Sequence, residues 1–165
     1  MTFLCPLYRE YLIQHLDKAF QQVKKYQDLS EEYYQTGNYN DAFHQAGKAL
    51  EATELVLFHK TGWSVPALIQ YTSSAIHFCR LLKGRGVSTA VLTNQYCTQQ
   101  LQQIIAMHDL SRLSWAQECL QALTLQHEQM LNESKTKMFE FEAIGEKKYV
   151  DSTFQTQFRS SQGVH

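Results

Sequence analysis

No stretch of this 165-residue chain approaches the roughly 20 consecutive apolar residues that a membrane-spanning helix needs. The amino end, Met1 to Pro6, lacks the basic start and unbroken apolar run of a secretory signal, so a cytoplasmic location is expected. Charge of one sign is also missing. Fifteen Lys and Arg against 16 Asp and Glu leave a net −1, which removes any global attraction to nucleic acid or to an anionic membrane surface. Cysteine is sparse and scattered. Cys5, Cys79, Cys97 and Cys119 form no Cys-x-x-Cys pair, and three of them fall among apolar neighbours in helical patterns, so reduced core or near-core thiols are expected.

Signatures of catalysis are equally thin. None of the seven histidines forms His-x-x-x-His or Glu-x-x-His, the spacings that aim two ligands to one side of a helix, so no metal site is expected. Gly84-Arg85-Gly86 follows a helical pattern rather than a strand and lacks the Lys-Ser/Thr end of a phosphate loop. Arg80, Lys83 and Arg85 there are read as cations that complement a helix C-terminus. His77 and His127 sit on or beside apolar faces and read as core or boundary residues. A Cys–His nucleophile, for example Cys119 with His77, is geometrically allowed between packed helices but has no motif behind it. No cofactor, catalytic residue or nucleic-acid partner is expected.

What the chain does have is helical periodicity. Tyr26, Leu29, Ser30 and Tyr33 fall on one face at spacings of three and four, and Ala42, Ala46, Ala49 and Leu50 fall on one face of a second segment. Between them, Gly37-Asn38-Tyr39-Asn40 reads as a turn. Gly37 can take a left-handed conformation, Asn40 can cap the next helix, and Ala42, Ala46, Gly47 and Ala49 allow close helix approach.

This aromatic-Leu-Ser-Tyr33-Gly37-x-Tyr39-x-x-Ala42-Ala49-Leu50 order resembles one tetratricopeptide repeat across Tyr26 to Leu50. Ala46 replaces a larger aromatic of that family, and Glu54 stands where its closing proline is usual, which implies that the second helix runs on through Phe58. The segment from Tyr71 reads either as a degenerate second repeat or as an ordinary helical hairpin that shares the spacing by chance. Tyr71, Ser74, Ala75 and Phe78 reproduce the first spacing 45 residues later, and Ala90 and Cys97 occupy the positions of Ala42 and Ala49.

The remaining segments complete an all-α array. Pro6 to Thr36 reads as one helix or two, with a near-continuous, bent helix favoured, entered by Pro6 and followed by Leu7, Tyr8, Tyr11, Leu12, Leu16, Ala19, Phe20 and Val23 at helical spacing. Gly62 closes the second long helix, and Ser64 with Pro66 opens the third, which carries Leu68, Tyr71, Ala75, Phe78, Cys79 and Leu82 inward. A fourth spans Val87 to His108. With Asp109 or Ser111 as cap, a fifth runs from Leu113 to Ser134 and covers the apolar end of the array. Residues 1–134 thus read as one helical domain. Residues 135–165 lose the periodicity and read as a tail, either disordered past a frayed helix end or docked as a ligand through Phe139, Phe141, Tyr149, Phe154 and Phe158.

The resemblance implies a protein-binding module, an adaptor, chaperone or regulator, that takes a peptide or helix in a groove between hairpins. It points Lys24, Gln27, Glu31 and Tyr34 to the inner wall as partner contacts. Tyr34 is the strongest of the four, since an exposed aromatic offers large contact area, with packing against a neighbouring helix as its ordinary alternative. Two other readings stand beside this one: a homo-oligomeric structural component, and a small helical enzyme or ligand sensor with a pocket between helices.

Overall fold

The computed structural model describes residues 2–58, 64–108, 110 and 113–135, all of whose regular structure is α-helix. The expected Gly62 stop, the Asp109 and Ser111 caps and the aromatic tail lie outside the described residues. The helices are α1 (Pro6–Gln14), α2 (Leu16–Gln35), α3 (Tyr39–Phe58), α4 (Val65–Lys83), α5 (Val87–Met107) and α6 (114–135). The chain divides into two compact units, Met1–Met130 and Leu131–His165. Helices α1 to α5, with α6 as far as Met130, belong to the first. No helix among the described residues is long and apolar enough to cross a membrane.

The bend expected before Thr36 is a full break, and it falls at His15. Here the backbone leaves helical geometry at φ −134° and ψ 68°. The His15 amide turns to the Leu12 carbonyl at 3.2 Å, while its Nδ1–H donates to the Tyr11 carbonyl at 2.9 Å. A side chain therefore takes over the acceptor that the backbone amide of an unbroken helix would use. No proline or glycine marks this break. Leu7, set at helical spacing with core residues, is 80% exposed instead, whereas Leu12 is buried.

The central hairpin follows from its turn. Gly37 takes φ +78°, a conformation that costs other residues about 1–2 kcal/mol. The cap is Asn38 rather than Asn40. Its carbonyl accepts the Ala42 amide at 3.0 Å, its Oδ1 accepts the Asp41 amide at 3.4 Å and its Nδ2 donates to the Asp41 carboxylate at 2.6 Å. Asn40 instead accepts a hydrogen bond from Arg85. The pairs Ser30–Ala42, Tyr34–Tyr39 and Tyr26–Lys48 step in opposite directions along the two helices, the mark of antiparallel packing.

Helix α3 is buried over most of its surface because α1, α2 and α4 all pack on it. It runs through Glu54 to Phe58, as the missing proline implies. Between α2 and α4 the pairs Gln27–Ser74, Ser30–His77 and Glu31–Arg80 advance together, so these two helices lie side by side and run parallel. Ser64 opens α4 by accepting the Ala67 amide at 3.3 Å, with Pro66 in the first turn. Ala90 and Cys97 are fully buried, matching Ala42 and Ala49. Gln126 ties α6 in, accepting from Asn94 of α5 at 2.9 Å and donating to the Ile76 carbonyl of α4 at 2.8 Å.

The residues ahead of α1 plug the seam between α3 and α4. The Phe3 ring lies edge-on to Phe43 and Phe78 at 5.5 and 5.4 Å, directly over Gly47. The buried Glu51 carboxylate accepts the Phe3 and Leu4 amides at 2.7 and 2.9 Å and pairs with Arg9 at 3.0 Å. A methyl group at residue 47 would lie 2.5 Å from the Phe3 ring. Gly47→Ala is therefore expected to lower stability by about 1–3 kcal/mol, read from urea unfolding midpoints. In a Phe3→Ala background the same change should cost almost nothing; an equal cost in both backgrounds would show that the ring is not what glycine makes room for.

Candidate functional site

Three of the four expected contact residues turn toward α4. The Gln27 amide donates to the Ser74 hydroxyl at 2.9 Å, Glu31 accepts from Arg80 at 3.1 Å, and the Tyr34 ring lies 5.4 Å from the Arg80 guanidinium. Tyr34 both packs and shows: its ring meets Tyr39 edge-on at 5.5 Å, yet 40% of the residue stays exposed. Lys24 lies apart from these contacts, exposed along a shallow strip of α2 with Gln21, Lys25, Asp28 and Glu32.

Arg80 leads from this wall into a groove. Between α4 and α6 lies an open cavity of about 520 Å³ whose walls are mostly apolar. Helix α4 contributes Ile69, Thr72, Ser73, Ile76, His77 and Arg80, and α6 contributes Trp115, Glu118, Cys119 and Ala122. Both sets repeat at three and four residues, so each forms a second stripe beside the stripe that faces the core. Ile69 is half exposed, at 52%. Sequence reading assigned only the inward stripe of each helix and missed this groove. The available signal was the extra width of apolar surface that Ile69, Ile76 and Trp115 add.

His77 is fixed by a chain of hydrogen bonds through three helices. Ser30, fully buried on α2, donates its hydroxyl to the Ala42 carbonyl of α3 at 2.7 Å and meets His77 Nε2 at 2.8 Å. Arg80 meets His77 Nδ1 at 3.2 Å. A guanidinium can only donate, and the Ser30 proton is already committed, so the arrangement selects the neutral tautomer with hydrogen on Nε2. Burial, then the charge of Arg80, pushes the His77 pKa down, with Glu31 pulling the other way. Neither ring nitrogen is left over as a base for the Cys119 thiol.

Tyr71, also on α4, faces the core instead. It is fully buried, donates its hydroxyl to the Cys97 carbonyl at 3.3 Å, and lies outside the groove wall. Burial raises its pKa, and raises those of the Cys79 and Cys97 thiols, the latter to about 12. These thiols stay protonated near neutral pH and pack as small apolar groups. Cys119 is likewise buried, and Cys5 is exposed; all four are free.

Because the folded His77 binds a proton less readily than the unfolded residue, its contribution to stability is complete above about pH 6.5 and is lost as pH falls through the lowered folded value. His77→Gln can supply a similar donor and acceptor without titrating. The unfolding midpoint of the wild type relative to His77→Gln should therefore fall between pH 7 and pH 5; parallel profiles would show that the neutral ring is not selected. Compared with known proteins, the chain matches no family model, no curated protein and no solved structure.

Proposed function

We propose that this chain is a protein-binding module, resembling a short tetratricopeptide-repeat array, that takes a peptide or an amphipathic helix in the groove between α4 and α6. The observation that carries the reading is the groove itself: about 520 Å³, open along its length, apolar in its walls and edged by Arg80 and Glu118. An open apolar trough between helices suits the anchors of a helix spaced by three, four and seven residues. An enclosed pocket with convergent polar groups would suit a small substrate better. The parallel α2 and α4 support the repeat reading, because helices that begin successive repeats lie side by side in such arrays.

In this reading Tyr34, Glu31 and Gln27 extend the partner surface past Arg80 onto α2, with Lys24 at its margin. A role as adaptor, chaperone or regulator in the cytoplasm fits a module of this kind.

The test is affinity capture from cell extract with the wild type, Ile69→Asp and Tyr34→Ala, each first checked for an unchanged melting temperature. Ile69→Asp places a charge on the apolar wall and should weaken capture at least tenfold, about 1.4 kcal/mol. Tyr34→Ala should fold normally and weaken capture less. Equal capture by all three proteins would remove the groove from the account. Recovery of only further copies of the chain, unaffected by either change, would establish the oligomeric alternative.

A further inference from the structure

A second cavity, of about 380 Å³, opens between α3 and α5, both of which pack on α4. Phe3 and the buried Phe78 lie at its base, Leu92 and Tyr96 form the exposed apolar side, and Thr93 and Glu54 bring polar groups into it. Its size is that of a small-ligand site.

Two glutamates one helical turn apart have opposite fates here. Glu51 is saturated by the Phe3 and Leu4 amides and by Arg9. Glu54, half-buried, has no hydrogen-bond or ion-pair partner among the described residues. The titratable groups acting on it or feeling it are Glu51, Tyr71, Tyr96 and Cys97, which are acidic or neutral, and two cations: Arg9, whose guanidinium already holds Glu51, and the amino terminus of the chain, which acts on it least of these. A carboxyl in that position must keep its proton or acquire a cation. Burial first, and Glu51 second, push Glu54 up to about 7, with Arg9 and the amino terminus opposing.

We propose that this cleft binds a small organic ammonium, its charge on the Glu54 carboxylate and its apolar body between Leu92, Tyr96 and Phe78. The ammonium donates to Glu54, the Thr93 hydroxyl offers a second acceptor, and the Tyr96 ring favours a cation over a neutral group. Once ionised, Glu54 repels an anionic ligand. The ammonium belongs either to a free amine or to a lysine side chain of another protein, and the chemistry at Glu54 is the same for both.

Calorimetric titration of the full chain at pH 6.5 and pH 8 tests this with three probes: 2-phenylethylammonium, Nα-acetyl-lysine methylamide and neutral 2-phenylethanol. At least one ammonium should bind saturably at one per chain, release protons at pH 6.5, and bind tenfold or more weakly to Glu54→Gln, with exposed Glu10→Gln unchanged. Binding of the free amine alone assigns a small ligand; binding of the lysine probe assigns a protein side chain. The variant should fold, because a carboxyl with a raised pKa stabilises the native state fully below its ordinary value and loses that contribution as pH rises through about 7. Glu54→Gln should therefore melt at or above the wild-type temperature at pH 8. Absence of saturable binding by both ammonium probes overturns the proposal, as does equal affinity for Glu54→Gln or for the neutral alcohol.

Discussion

Ser30 sits where three helices meet, and its hydroxyl sets their relationship. It is fully buried, donates to the Ala42 carbonyl across the hairpin and accepts from His77 on the next hairpin. A buried hydroxyl left without partners costs about 1–3 kcal/mol, so the three helices are held at the one spacing that satisfies it. That spacing is reachable only because α3 presents Ala42, Ala46, Gly47 and Ala49 to its neighbours. The parallel run of α2 and α4 results, and with it the wall formed by Gln27, Glu31, Arg80 and Tyr34.

The polar groups inside this apolar array divide by whether they are satisfied. Glu51 gathers two backbone amides and a guanidinium, fastening the amino-terminal plug over Gly47. His77 is satisfied as a neutral ring by Ser30 and Arg80. Glu54 is not satisfied in the same way, and it borders a cavity. The first two groups have structural work that accounts for them. The third has no such work among the described residues and borders the cleft proposed above as an ammonium site, which sets that cleft apart from the histidine and the thiols.

Much of the fold was legible in the sequence because its punctuation is local. Gly37, Ser64 with Pro66, and Gly84-Arg85-Gly86 act through backbone geometry within a few residues, so the all-α class and the long α3 could be read directly. The errors fall where two local solutions compete. Asn38 and Asn40 are both fit to cap α3, and the choice depends on Asp41 for one and on Arg85, 45 residues away, for the other. The break at His15 rests on a side chain replacing a backbone amide, which leaves no proline or glycine to see. The groove was missed for a different reason. Ile69, Ile76 and Trp115 share the three-and-four periodicity of the core face, and only the placement of α6 separates a stripe that is covered from one that is left open.

The most direct test of the groove as the partner site is photocrosslinking from benzoylphenylalanine placed at Ile69, compared with the same group at Leu7, which is 80% exposed on α1. With adducts identified by mass spectrometry after irradiation in cells, the account predicts a specific partner protein joined at position 69 and absent from position 7. The same adducts from both positions, or adducts only with further copies of the chain, would contradict it.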